Sequence, residues 1–143
     1  MIAPCGMDCA LCYGFQVGQY DLNHKGFHNK SCLGCRSEGH QCKHFKPDCP
    51  IKTQSVSFCF ECPDYPCPAL KSLDYRYRQK NHMSLLENLK MIQKEGLDAF
   101  VTSQDQKWTC EKCGALRCCH KSLCLNCELD LLQKKRSINK KVQ

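Results

Sequence analysis

Trp108-Thr109-Cys110-Glu111-Lys112-Cys113-Gly114, followed by Cys124-Leu125-Asn126-Cys127, sets out a C-x2-C-x10-C-x2-C pattern. Two cysteines three residues apart on a tight turn aim both sulfurs at one ion. Two such turns supply the four ligands, each about 2.3 Å from the metal, that tetrahedral zinc requires. Gly114 follows the second cysteine, where a positive φ lets backbone amides face the sulfurs. The spacer is shorter than the roughly 15–20 residues usual between such pairs, so a compact hairpin is expected. Residues 108–130 therefore read as a zinc ribbon or knuckle with Cys110, Cys113, Cys124 and Cys127 as ligands. Cys118, Cys119 and His120 fall inside it. One of them could replace a knuckle sulfur, they could join another site, or they could simply line the hairpin.

Outside this segment lie ten more cysteines, all in residues 5–67, while residues 68–109 hold none. In all, 16 of 143 residues are Cys, whereas Leu, Ile, Val and Phe number only 29, about 20%. So few large apolar side chains rarely hold this many loops in place, so metal or covalent staples are expected. The N-terminus, Met1-Ile2-Ala3-Pro4-Cys5-Gly6, has no basic stretch, apolar segment or cleavage site of the kind export requires. No apolar run approaches the roughly 20 residues of a membrane helix. A cytoplasmic chain with no membrane association keeps its thiols reduced, and its Cys-x-x-Cys pairs are then metal ligands rather than disulfides.

The cysteine-free middle reads as helices. Pro68 suits a first turn, Leu70, Leu73 and Tyr77 follow at helical spacing, and Asp74 precedes Arg78 by four residues. Asn81-His82 interrupts. Ser84 with Glu87 is a capping box. Leu85, Leu86, Leu89 and Ile92 form one apolar stripe that stops at Gly96, and Leu97, Phe100 and Val101 begin a third helix. The expected fold is a small metal-stabilised α+β protein with an irregular Cys-rich N-terminal part, central helices and a C-terminal zinc-ribbon or knuckle hairpin. Its divisions are a Cys-rich metal-binding domain with the helices over 1–107, the ribbon over 108–130 and a basic tail over 131–143.

The formal charge of +7 counts every cysteine as neutral. Zinc with four thiolates carries −2, so three such sites would bring +7 to +1 and four would bring it to −1. Basic character is then local: Lys71, Arg76, Arg78 and Lys80 in the helical segment, and Lys134, Lys135, Arg136, Lys140 and Lys141 in the tail. Such patches hold phosphates or solvate a helix face.

Among the N-terminal cysteines, Cys5, Cys9 and Cys12 make C-x3-C-x2-C. This resembles the three-cysteine iron–sulfur site of radical S-adenosylmethionine enzymes, but no alternating βα pattern follows it. The other reading is three ligands of a structural site completed by a distant Cys or His. Cys32, Cys35, Cys42, Cys49, Cys59, Cys62 and Cys67 supply further ligands. The pairs 32/35 and 59/62 could close one site. Alternatively Cys32, Cys35, Cys42 and Cys49 form a local site, with Cys59, Cys62 and Cys67 completing the first. His24, His28, His40 and His44 are within reach.

Ile2-Ala-Pro-Cys5-Gly-Met-Asp-Cys9-x-x-Cys12, Cys32-x-Gly-Cys35-Arg36 and Phe58-Cys59-x-Glu-Cys62-Pro-Asp-Tyr-Pro-Cys67 resemble a cysteine-rich family of bacteria and archaea, often anaerobes, catalogued as a domain of unknown function. The likeness continues through Leu73-Asp-x-Arg-Tyr-Arg and Met83-Ser-Leu-x-Glu-Asn-Leu to Lys107-Trp108 and the Cys110/Cys113 knuckle, so it covers nearly the whole chain. It implies a cytoplasmic zinc-binding protein with no established activity, and an anaerobic habitat leaves iron–sulfur chemistry open. Three function classes follow: a protein or nucleic-acid interaction module with several structural zincs, its partner meeting the basic helix and tail; an iron–sulfur redox or radical enzyme centred on Cys5, Cys9 and Cys12; and a thiol-based metal reservoir. The first is favoured, because closed four-thiolate sites leave no coordination position for chemistry. The sequence carries no paired-carboxylate, Ser/His/Asp or phosphate-loop motif, and a reservoir has no use for capped amphipathic helices.

Overall fold

Helix formation in the cysteine-free stretch follows from its caps. In the computed structural model, which describes residues 1–38, 45–53 and 55–141 and their side chains except those of 136 and 138–141, helix α2 runs Pro68–Asn81. Pro68 opens it, and His82 closes it in the left-handed conformation. Helix α3, Leu85–Glu95, starts at Ser84, whose hydroxyl accepts the Glu87 N–H. Gly96, at φ +89°, ends it. Helix α4 covers Leu97–Trp108. Asp74, buried on α2, accepts from the Ser84 hydroxyl and the Leu86 N–H and pairs with Arg78 at 2.9 Å, so one carboxylate joins the last turns of α2 to the start of α3.

The N-terminal residues lie on this helical scaffold. Met7, Leu11, Leu70, Leu73, Met83, Leu85 and Leu89 share one apolar cluster, while Ile2 packs with Ile92 and Phe100 in another. Gly6 fits because it lacks a side chain: it sits at φ +83°, and a Cβ there would fall 2.9 Å from the Leu85 carbonyl oxygen. Its own carbonyl accepts from Asn88. Arg36 ties three segments together by donating to the Ile2 and Ser57 carbonyls and covering the Phe58 ring.

Two helices lie outside those the periodicity predicts. Helix α1, Tyr13–Gln19, follows a short 3-10 turn at Cys9–Leu11. Its Gly14 and Gly18 obscure any helical pattern. Helix α5, Leu129–Lys141, occupies the expected basic tail. Asp130 in its first turn suits the positive end of the helix dipole. A third apolar cluster joins Val17, Leu22 and Phe27 to Cys118, Leu123, Leu125 and Leu132.

The molecule is thus mostly helical, not the expected α+β. Among the described residues the β content is three isolated antiparallel bridges: Ile2–Asp8, Thr109–Leu116 and Cys118–Leu123. Each brackets a turn, and the short spacer between the knuckles leaves no length for a strand ladder.

Candidate metal centre

After α4 the chain turns sharply. Gly114, at φ +74°, donates its N–H to the Cys110 carbonyl, and the Cys110 N–H is accepted by Ala115. A second turn, closed by the Glu128 N–H on the Cys124 carbonyl, faces the first. The sulfurs of Cys110, Cys113, Cys124 and Cys127 all lie within 4.8 Å of one another. Cys110 and Cys127 are 3.7 Å apart, and Cys113 and Cys124 are 3.5 Å apart. Four sulfurs about 2.3 Å from a common ion stand roughly 3.8 Å from one another, so this arrangement can hold a metal ion.

Polar contacts brace the set. One Glu128 oxygen accepts the Cys124 N–H at 3.0 Å, and the other pairs with Lys112 at 2.7 Å, linking one turn to the other. The Cys124 amide, then Lys112, hold the Glu128 carboxyl below its ordinary pKa. Asn126 donates to the Cys113 sulfur, and that bond, with the Ala115 amide, lowers the Cys113 thiol to about 6. That lowering favours the thiolate, the form that binds metal. Cys110 and Cys124 are buried, whereas Cys113 and Cys127 are exposed.

Cys118, Cys119 and His120 lie outside this set. Cys118 and Cys119 are buried in two different apolar clusters, and the Cys119 N–H reaches the Leu11 carbonyl. His120 accepts the Tyr13 N–H at Nδ1 and meets the Tyr77 hydroxyl at Nε2, 2.9 Å away. A neutral imidazole accepting at Nδ1 carries its proton on Nε2 and donates it to Tyr77. Both ring nitrogens are therefore engaged in joining this segment to α1 and α2. Burial, then the Lys121 charge, lowers the His120 pKa.

The described N-terminal cysteines converge more loosely. None of them joins a set of three or more with ligand atoms all within 4.8 Å. Cys9 and Cys35 are neighbours. The Cys35 N–H points at the Cys9 sulfur at 3.3 Å, and hydrogen bonding from the Cys35 thiol, outweighing burial, lowers Cys9 to about 6. Cys12 faces Cys32 and Cys9, and burial is the main cause raising its thiol. The Gly34 N–H approaches the Cys32 sulfur at 3.4 Å. Cys5 stands close enough to both Cys35 and Cys59 to raise their thiols, though less than other causes do. Cys49, Cys59, Cys62 and Cys67 line one cavity. Cys42, His40 and His44 lie outside the described residues, and exposed His24 pairs with Asp21.

No helix among the described residues is long and apolar enough to cross a membrane. Neither the curated proteins nor the solved structures provide a match. A family described as "Protein of unknown function (DUF3795)" matches residues 1–72, from the N-terminus into α2, a stretch that holds ten of the cysteines and stops before the Cys110 set. With half of its length matched, this chain belongs to the DUF3795 family.

Proposed function

We propose that this protein is a zinc-stabilised interaction module whose metals are structural and whose basic surface meets a protein or nucleic-acid partner. The observation that carries the reading is the Cys110, Cys113, Cys124 and Cys127 set, with its sulfurs within 4.8 Å of one another. Four thiolates complete a tetrahedral zinc and leave no position for a substrate. In this reading residues 1–107 are the cysteine-rich body, 108–130 the metal unit and 131–143 the basic end. The N-terminal cysteines, among them Cys5, Cys9 and Cys12, tie the chain start onto the body. The amide of Cys35 on the Cys9 sulfur supports that role. Exposed Lys71 on α2 and Lys134 and Lys135 on α5 are candidates for contact with an anionic partner.

Purification without oxygen followed by metal analysis tests the reading. Colourless protein with zinc and no sulfide is expected. Brown protein with iron and sulfide would place the alternative, an iron–sulfur redox or radical enzyme centred on Cys5, Cys9 and Cys12, ahead of it. The partner class is tested by the salt dependence of binding to RNA and DNA. Electrostatic binding weakens steeply as salt rises, and no binding at low salt would leave a protein partner as the reading.

A further inference from the structure

We infer a second, separate metal centre, with Cys49, Cys59, Cys62 and Cys67 as its four thiolate ligands. These side chains come from three different pieces of backbone. Cys49 lies in a turn where its carbonyl accepts from Lys52 and Thr53. Cys59 and Cys62 bracket the 3-10 turn Cys59–Glu61, fixed when the Cys59 N–H donates to the Pro4 carbonyl and the Cys62 N–H to the Cys59 carbonyl. Cys67 caps α2 with extended backbone, and its side chain makes no cap hydrogen bond. All four line one cavity of about 20 Å³. That is more than the roughly 10–15 Å³ a cavity needs to hold one water.

The walls determine the ligand. Apart from the cysteines the lining consists of Phe45, Pro50, Ile51, Tyr65 and Leu70, with no carboxylate, imidazole or cation. Four sulfurs without oxygen or nitrogen donors select a thiophilic metal, zinc or iron, over magnesium or calcium. Small apolar residues in an ordinary core would close such a gap, because interiors pack to crystal-like density. Here the gap is left in a wall to which four cysteines contribute. Cys67 stands at the N-terminal end of α2, where its side chain makes no cap hydrogen bond and is left for the cavity. Cys49, Cys62 and Cys67 are only partly buried, which gives an ion a way in. No three of these sulfurs lie within 4.8 Å of one another. A single ion therefore draws the 49 turn and the 59–67 loop inward, whereas an iron–sulfide cluster spans a wider ring of sulfurs.

The test uses the full chain prepared without oxygen. Native mass spectrometry and metal analysis compare the parent with Cys62→Ser/Cys67→Ser and with Cys113→Ser/Cys127→Ser. The expected result is that each double variant loses one metal centre and that combining the two loses both. Zinc lost from the first variant identifies a single ion, and iron lost together with sulfide identifies a cluster. Either supports the four-cysteine site. Unchanged metal content in Cys62→Ser/Cys67→Ser overturns it, whatever happens at the Cys110 set, so the two sites stand or fall separately. A fold lost with the serines is bypassed by loading the parent with cadmium. A cadmium NMR signal coupled to the β protons of Cys49, Cys59, Cys62 and Cys67 is expected in the zinc case, and its absence from a zinc-binding parent overturns the assignment.

Discussion

Glu128 serves both halves of the Cys110 set, since it holds the Cys124 amide with one oxygen and Lys112 with the other. Groups that orient metal ligands typically affect affinity by about 10–100-fold. Glu128→Ala is therefore expected to weaken metal binding roughly ten-fold or more, read by competition with a chromophoric chelator. Lys112→Met should change little, because an exposed ion pair is screened by water. Equal losses in the two variants would show that the charge pair, not the amide contact, matters. His120 gives a pH signature. Its folded pKa is lowered, so above the ordinary value of about 6.5 both folded and unfolded chains hold it neutral and its contribution is complete. As pH falls below that value the unfolded chain protonates first, and stability is lost until the folded pKa is reached. Urea melts at saturating metal should lose stability from about pH 6.5 downward, and less steeply in His120→Gln. Parallel profiles would contradict the Tyr13–His120–Tyr77 bridge. Gly6→Ala and Gly114→Ala both force a left-handed residue, at about 1–2 kcal/mol. Gly6→Ala should cost more, because its Cβ also meets the Leu85 carbonyl, whereas nothing lies within 4 Å at Gly114.

At the scale of elements, the α2–α3 corner depends on Asp74. Ser84→Ala removes a cap worth about 1 kcal/mol. Asp74→Ala instead strands the Leu86 amide and the Ser84 hydroxyl, and is expected to cost about 2–3 kcal/mol. Denaturant melts at constant metal measure both, and an Asp74→Ala cost no larger than that of Ser84→Ala would contradict this account. This corner was legible in the sequence, because Pro68, the Asp74/Arg78 spacing, the Ser84 capping box and Gly96 are local signals read within one turn. Helix α1 was not, since its two glycines hide the pattern and its buried face, Gln16 and Val17, includes a polar residue. Helix α5 carried a usable signal, acidic start and basic end, that its net charge masked. The Cys110 set was legible because both pairs are adjacent in sequence and their turns are short. The Cys49 grouping was not. Three separate backbone pieces bring it together, and Cys-x-x-Cys spacing alone fits several pairings.

Among the described residues the apolar interior is divided into three clusters. The one holding Val17, Leu22, Phe27, Leu123, Leu125 and Leu132 is flanked by the Cys110 set. Chelation is expected to release amide protection over 110–132 and 17–27 together, while α3 and α4 keep theirs. Hydrogen exchange with and without chelator reads this, and uniform loss across α3 and α4 would contradict it. The bond from the Tyr13 amide to His120 spans 107 positions of chain. Ribosomes add about 5–20 residues each second, so Tyr13 emerges roughly 5–20 s before its partner exists. Throughout that interval Cys5, Cys9 and Cys12 have no His120 or Cys119 segment to dock against. These thiols thus wait for the segment that covers them, and the timing of metal delivery during translation becomes part of how this chain reaches its native state.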